Sequence, residues 1–189
     1  QRCYNLSDDS TEYAILDRLS FMRFLGLTIS DNVPDAKTIW NFKNELSKSN
    51  LVEQLFSMLD KVLTKKGVIL NKGRMVDASL VEVPIQRNTP EENKQINEGT
   101  LPDHWHPNKI RQKDVDAKWV RKNGKNYYGY KDHIKADQTT KLITDYKVTP
   151  ANIHDSEVIG ELINRKDGGL KLYADSAYFS KEIEALLKK

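Results

Sequence analysis

Two aspartates, each placed beside a short apolar run, are the residues of this sequence best suited to chemistry. Asp77 interrupts the run over residues 74–81, and Asp175 follows the run over residues 170–174. Each run is typical of a buried strand that delivers a carboxylate at the edge of an α/β sheet, where such sheets hold their ligands. Either aspartate alone could equally accept backbone hydrogen bonds in a turn. The two aspartates can form a common site only if folding brings them together.

A shared pair of carboxylates would suit metal-assisted chemistry on a phosphodiester. Cleavage of that bond needs an activated water or hydroxyl, relief of charge in the transition state and a stabilised leaving oxygen, which two Mg²⁺ ions roughly 4 Å apart can supply. Mg²⁺ prefers oxygen ligands and keeps several waters, so a few carboxylates suffice. We therefore expect Asp77 and Asp175 to bind Mg²⁺ or Mn²⁺ and to be catalytic residues acting on nucleic acid.

The elements around these aspartates predict an α/β fold with a mixed sheet. The first strand, over residues 75–83, follows an extended segment at residues 68–70, and residues 127–134 and 142–148 alternate as a hairpin. A helix capped by Asp155 then leads to the strand that carries Asp175, and Ser180 caps a last helix. This connectivity is that of a ribonuclease H-like sheet, in which the first and fourth strands are neighbours. The carboxylates of Asp77 and Asp175 would then face one another.

Residues 1–66 predict a small all-α domain ahead of the sheet domain, which takes up residues 67–189. A helix is expected over residues 7–26, a second after the cap Asp35, and a third after the cap Asn50. The third helix has an apolar stripe that we expect to be buried, formed by Leu51, Val52, Leu55, Phe56, Leu59, Val62 and Leu63. Three short helices fit a helix-turn-helix DNA-binding domain or a packing and dimerisation module, and both interpretations stay open.

The segment over residues 85–125 has no convincing period and predicts a long loop. His104 and His106 could bind a metal, but no further ligand lies at a suitable spacing, so a surface loop is favoured. Basic residues concentrate at the end of the segment and could contact DNA phosphates; they are Lys109, Arg111, Lys113, Lys118, Arg121, Lys122 and Lys125. A solvated loop would have the same composition, and the two interpretations stay equal.

Composition bounds the remaining possibilities. The chain has 189 residues, a formal net charge of +3 and one cysteine, Cys3. An internal disulfide is therefore impossible, which fits a reducing cytoplasmic setting. Because no apolar run is long enough to span a bilayer, we expect no membrane association. The net charge alone does not argue for nucleic acid as a partner.

Several segments resemble, in the same order, the motifs of a known family. They are residues 4–8, 23–27 and 33–35 in the helical part, and residues 75–84, 116–119, 122–131, 149–156 and 173–178 in the sheet part. Together they are similar to bacterial insertion-sequence DDE transposases of the insertion-sequence-five group, and the resemblance covers nearly the whole chain. Each motif by itself is weak, whereas the ordered set is specific.

The resemblance implies a DNA transposase that cleaves and transfers DNA strands at insertion-sequence ends with Mg²⁺. Its partners would be double-stranded DNA, as terminal inverted repeats and target, and a second copy in a homodimeric synaptic complex. Asp77 and Asp175 would be its first two catalytic carboxylates. The family's third acidic residue has no matching position, since Glu182 and Glu184 come too early. The resemblance thus implies a chain truncated before that residue. Two alternatives stay open: an inactive fragment that only binds DNA, and a ribonuclease H-like nuclease without transposition.

Overall fold

The computed structural model describes residues 1–178 and 183–185, which belong to two compact units, Gln1–Leu63 and Thr64–Lys189. The helices are α1 (Asp8–Asp17), α2 (Leu19–Leu25), α3 (Ala36–Lys48), α4 (Leu51–Lys65), α5 (Pro90–Asn97), α6 (Pro107–Gln112) and α7 (Asp155–Leu162). The strands are β1 (Gly73–Glu82), β2 (Lys118–Lys122), β3 (Lys125–Asp137), β4 (Ile143–Pro150) and β5 (Lys171–Ala174). Short 3-10 helices cover Arg2–Tyr4, Arg165–Asp167 and Ser176–Tyr178. No helix in the described ranges is long and apolar enough to cross a membrane.

Side-chain caps begin two helices of the first unit, α1 and α3. The Ser7 hydroxyl accepts a hydrogen bond from the Ser10 amide at 3.1 Å, and an Asp35 carboxylate oxygen accepts one from the Thr38 amide at 2.7 Å. The predicted single helix over residues 7–26 is wrong in one respect. The backbone of Arg18 is extended (φ −120°, ψ 111°), which ends α1 and begins α2.

Most of the apolar stripe of α4 is exposed, which corrects the prediction that it is buried. Leu55, Leu59 and Val62 are 50–55% exposed, although they recur at helical spacing as predicted. Amphipathic spacing shows that a face can be buried, but burial also needs a second element to pack along that face. Asn50 has a left-handed backbone (φ 52°) before this helix.

The sheet of the second unit places β1 in its centre. It pairs antiparallel with β3 on one side and parallel with β5 on the other. The opposite edge of β3 pairs with β2 near its start and with β4 along the rest. The neighbouring positions of the first strand and of the strand before Asp175 agree with the predicted ribonuclease H-like connectivity. The extended segment predicted at residues 68–70 forms no strand.

One face of the sheet packs against α7 and contains the core of this unit. Its buried apolar residues are Val76, Val158, Ile159, Leu162, Tyr178 and Ile183, which are at most 7% exposed. Residue 183 begins a short described piece of the predicted last helix. Ser180 and Glu182, to which the sequence assigns a helix cap and a helix charge, lie outside the described residues.

The segment over residues 85–125 contains α5, α6 and β2, which corrects the prediction of a long loop without regular structure. Thr89 and Glu92 form a capping box at the start of α5, with Pro90 at its first helical position. This Thr-x-x-Glu spacing is a helix-start signal that can be read from sequence. The apolar period does not predict the short helices α5 and α6, because six to eight residues are too few to establish such a period.

Candidate active site

The parallel pairing of β1 and β5 brings Asp77 and Asp175 to corresponding positions. Met75 pairs with Tyr173 and Val76 with Ala174. Asp77 follows Val76 within β1, and Asp175 follows Ala174, the last residue of β5. Neighbouring strands lie about 4.8 Å apart. The two residues that the sequence singles out are thus adjacent where β5 ends beside the middle of β1, despite their distance along the chain.

Both aspartates are exposed, and one carboxylate oxygen of each accepts hydrogen bonds from the following residue. Asp77 Oδ1 accepts a hydrogen bond from the Ala78 amide at 2.8 Å. Asp175 Oδ1 accepts hydrogen bonds from the Ser176 amide at 2.5 Å and from the Ser176 hydroxyl at 3.1 Å. Within the described ranges the Oδ2 atom of neither aspartate accepts a hydrogen bond. One oxygen of each carboxylate is therefore available to a ligand from outside the chain.

The side chain of Asp77 lies on the sheet face opposite α7. Alternation along β1 places Val76, which is 3% exposed, in the core beneath α7, and Asp77 on the other face. Met75, Val81 and Tyr173 are 36–46% exposed on or beside that second face. The carboxylate pair thus borders a broad accessible surface, which a large substrate could approach.

The chemistry of the two side chains fits a magnesium ion. In the part of the chain that the structure describes, no group of three or more His, Cys, Asp or Glu side chains is placed to hold a metal. Asp77 and Asp175 therefore stand as a pair of carboxylates. Mg²⁺ commonly binds proteins through one or two carboxylates, completing its coordination with waters and substrate phosphates.

A buried ion-pair network joins β1 and β3 to the segment before β5. Arg74, on β1, donates from Nε to Asp167 Oδ1 at 2.8 Å, and Lys135, on β3, donates to Asp167 Oδ2 at 2.7 Å. Arg74 is 5% exposed and Lys135 is 1% exposed. Burial raises the pKa of Asp167, but hydrogen bonds from Lys135, the Asn164 amide and Arg74 lower it by more than burial raises it. The pKa of Asp167 therefore lies below its ordinary value. An ionised Asp167 thus links β1 and β3 to the segment before β5.

Asp137, at the end of β3, extends this network. Its Oδ2 accepts hydrogen bonds from the Asn71 amide at 2.9 Å and from Arg74 at 3.4 Å, and its Oδ1 accepts from the amides of Thr139 and Thr140. Burial raises the pKa of Asp137, but hydrogen bonds from the amide and hydroxyl of Thr140 and from the amides of Asn71 and Thr139 outweigh burial and lower it. The carboxylate fixes both the turn after β3 and the start of β1.

His104 and His106, which the sequence offers as metal ligands, have structural contacts, and so does His154. His154 Nδ1 accepts a hydrogen bond from the Ser156 amide at 3.3 Å, so that His154 is the cap of α7 and Asp155 is its first residue. This corrects the prediction that Asp155 is the cap. His106 caps α6, and His104 Nε2 lies 3.2 Å from Glu92 Oε1.

Glu92 and Trp105 organise the segment between β1 and β2. Trp105 is 4% exposed and its Nε1 donates to Glu92 Oε1, to which Lys109 also donates at 2.8 Å. The ammonium of Lys109 lies 4.6 Å from the centre of the Trp105 ring. Hydrogen bonds from Lys109, Trp105, the Thr89 amide and His104 lower the pKa of Glu92. The segment therefore has its own small ordered centre.

The basic residues predicted to bind DNA fall into two groups. Lys109, Lys113 and Lys118 have local partners: Lys113 Nζ donates to the Asn88 side chain, and Lys118 Nζ donates to the carbonyl oxygen of Val115. The exposed group consists of Arg111, Arg121, Lys122 and Lys125. Its last three members flank the turn between β2 and β3. They form a positively charged hairpin tip.

Sequence reasoning missed the buried side chains behind the aspartates. His133 and Tyr178 form a hydrogen bond there, and the network around Asp167 lies farther along the same face. An available signal was the period of β3, since His133, Lys135 and Asp137 alternate with residues of the open face. Polar residues at every second position of a strand nonetheless favour a solvated face over a buried one.

Comparison with protein families gives two matches. The family described as transposase DDE domain matches residues 71–189, and the family described as transposase domain (DUF772) matches residues 1–45. The first match includes both aspartates and the entire sheet. No solved structure matches the chain.

Proposed function

Since the chain belongs to the family of transposase DDE domains, we propose that it catalyses Mg²⁺-dependent cleavage and transfer of DNA strands at the ends of a mobile element. The observation that carries the proposal is the register of β1 and β5, which sets Asp77 beside Asp175. Each carboxylate has an oxygen without a partner in the described ranges, on a surface that DNA could approach. The proposed substrates are the terminal inverted repeats of the element and a target duplex, bound by a homodimer.

We assign the metal-binding role to Asp77 and Asp175. A bound Mg²⁺ would supply charge neutralisation at the phosphate and a more acidic water. The contribution of the chain is to hold two oxygen ligands at a constant separation, because Asp77 is on a paired strand and Asp175 directly follows one. Hydrogen bonds from the Ala78 and Ser176 amides restrict the rotation of each carboxylate.

The charged hairpin tip is our candidate for contact with DNA phosphates. Arg121, Lys122 and Lys125 are exposed around the turn. Asn123 and Gly124 both have positive φ values, 52° and 78°, which is typical of a tight two-residue hairpin turn. The tip therefore presents cations on a well-defined loop, whereas Lys109 already pairs with Glu92.

Metal binding and plasmid nicking test the catalytic proposal together. We expect the chain to bind Mn²⁺ in calorimetry, and Asp77→Asn and Asp175→Asn each to weaken that binding at least tenfold and to remove nicking of supercoiled plasmid. Asp145→Asn is the matched control, because Asp145 lies on β4 and contacts Lys135. Unchanged Mn²⁺ affinity in both site variants would refute the assignment. DNA binding without nicking by the unmodified chain would favour the alternative, a protein that only binds DNA.

The salt dependence of DNA binding tests the hairpin tip. Each phosphate contact that is lost lowers the slope of log affinity against log salt concentration by about 1. We expect that reduction for Lys122→Ala and Lys125→Ala and no change in slope for Lys113→Ala, whose ammonium is bonded to Asn88. Equal slopes for all three variants would exclude the tip as the contact surface.

A further inference from the structure

His133 and Tyr178 form a buried hydrogen bond directly behind the carboxylate pair. His133 is 0% exposed and Tyr178 is 1% exposed. His133 Nδ1 lies 3.0 Å from the Tyr178 hydroxyl, and His133 Nε2 lies 3.0 Å from the Thr149 hydroxyl. Both ring nitrogens of the histidine therefore have partners. The two rings meet edge to face, with centres 6.2 Å apart.

This hydrogen bond connects two segments that lie on opposite sides of β1. His133 belongs to β3 and pairs in register with Ala78, the residue after Asp77. Tyr178 ends the 3-10 turn that begins directly after Asp175. Because Ala78 has only a methyl side chain on the face toward α7, the imidazole and the phenol can meet beneath it. The contact thus joins β3 to the Asp175 turn across the strand that carries Asp77.

Tyr178 is held at three points. Its amide donates to the carbonyl oxygen of Asp175 at 3.0 Å, its ring packs in the core with Val76 and Ile159, and its hydroxyl contacts His133. A turn whose last residue is fixed in this way has little freedom at its first residue. The position of Asp175 is therefore tied to β3 as well as to β5.

The protonation of the pair suits a permanent contact. Burial lowers the pKa of His133, so that its ring is neutral near pH 7, with one nitrogen donating and the other accepting. Burial raises the pKa of Tyr178, with further contributions from the charges of Asp155, Asp77 and Asp175, so that its hydroxyl stays protonated. Neither group loses its hydrogen-bonding capacity at physiological pH.

We propose that His133 and Tyr178 are positioning residues that hold Asp175 beside Asp77 in the geometry needed to share a divalent cation. The inference rests on the proposed function, since it assumes that the two aspartates bind the metal. Groups that orient metal ligands typically contribute 10- to 100-fold in metal affinity. The contact acts on Asp175 through the turn and not on the carboxylate itself, so we expect an effect near the lower limit.

The test measures Mn²⁺ affinity by calorimetry on the full chain. Tyr178→Phe keeps the ring and removes the hydroxyl, and His133→Gln removes the imidazole and leaves Tyr178 in place. We expect each variant to bind Mn²⁺ about tenfold more weakly, and the double variant to bind no more weakly than either single one. Tyr130→Phe is the matched control. Tyr130 lies on β3, as His133 does, and its hydroxyl donates to Asp114, away from the carboxylate pair. That control should keep the Mn²⁺ affinity of the unmodified chain.

A second comparison separates positioning from general stability. In the Asp175→Asn background, Tyr178→Phe should cause no further loss of Mn²⁺ affinity, whereas any loss of thermal stability should persist. Unchanged affinity in Tyr178→Phe and His133→Gln, with Asp175→Asn weakened, would overturn the positioning role and leave the proposed function standing. If Tyr178→Phe does not melt cooperatively, His133→Gln decides by the same criterion. If Asp175→Asn binds Mn²⁺ as tightly as the unmodified chain, the proposed function fails, and this inference fails with it.

Discussion

Replacing Asp167 with alanine should severely destabilise the sheet unit, because two buried cations depend on this carboxylate. Its oxygens accept hydrogen bonds from Arg74 at 2.8 Å and from Lys135 at 2.7 Å. The side chains of Arg74, Lys135 and Asp167 are 6%, 2% and 8% exposed, so that water cannot replace the missing anion without opening the structure. Arg74 retains Asp137 at 3.4 Å and the Asn71 side chain at 2.6 Å, and Lys135 retains the Leu162 carbonyl oxygen and Asp145.

The expected magnitude follows from the burial of these charges. Removing one partner of a buried ion pair typically costs about 3–5 kcal/mol. Because Arg74 and Lys135 keep other partners, we expect a loss near the lower limit of that range. With a urea dependence of about 2 kcal/mol per molar, the unfolding midpoint should fall by roughly 1.5 M. Asp145→Ala is the matched control: it removes another aspartate beside Lys135, but the side chain of Asp145 is 37% exposed. Pairs of that kind contribute about 1 kcal/mol or less.

Urea denaturation followed by circular dichroism measures both variants. Hydrogen exchange of the β5 amides gives a local readout, because Asp167 precedes that strand and we expect its loss to speed exchange there. A loss of less than about 1 kcal/mol in Asp167→Ala, or equal losses in the two variants, would refute the reasoning that this network holds β1 and β5 together.

Three further predictions concern stability and order. The free energy of unfolding should fall as the pH drops below about 5, because Asp137 and Asp167 have lowered pKa values in the folded chain, whereas an aspartate in the unfolded chain binds its proton near pH 3.9. Urea titrations at a series of pH values should show that the free energy of unfolding depends less steeply on pH in Asp167→Asn than in the unmodified chain. Gly129→Ala should lower that free energy by about 2 kcal/mol or more, because the backbone φ is 152° and a Cβ would lie 2.1 Å from the carbonyl oxygen of Val81; an unchanged melting temperature would contradict this. Trp105→Phe removes a hydrogen-bond donor to a buried carboxylate, so trypsin should cut residues 85–125 faster than in the unmodified chain, and equal cleavage rates would exclude the structural role given to this indole.

The sequence predicts the sheet well where short-range patterns and connectivity suffice. The alternation after Tyr127 identifies β3, and the order of strands and helix predicts that β1 and β5 are neighbours, which the observed pairing confirms. The family matches confirm a transposase. Membership of the insertion-sequence-five group, the missing third acidic residue and the domain limits at residues 66 and 67 stay predictions, as do the roles assigned to Asp77 and Asp175.

Other features depend on contacts that no local pattern encodes. Lys135 and His133 are buried because residues distant along the chain supply their partners, and the polarity of these side chains alone does not predict their burial. The sequence groups Lys109 and Lys113 with the hairpin cations, whereas in the structure they donate hydrogen bonds to side chains of residues 88–92. The stripe of α4 shows the converse, since its amphipathic spacing is as predicted and most of its residues are exposed.

The central position of β1 has a consequence for the order in which the chain folds. Strands β3 and β4 are close in sequence and pair antiparallel, so they can associate early at a small entropic cost. The pairing of β1 with β5 is parallel and connects residues 73–76 with residues 171–174, which makes it one of the least local contacts of the unit. Contacts of this kind form late and slow folding. During synthesis, the two aspartates therefore meet only after residues 171–175 have left the ribosome, long after β1 and β3 have been made.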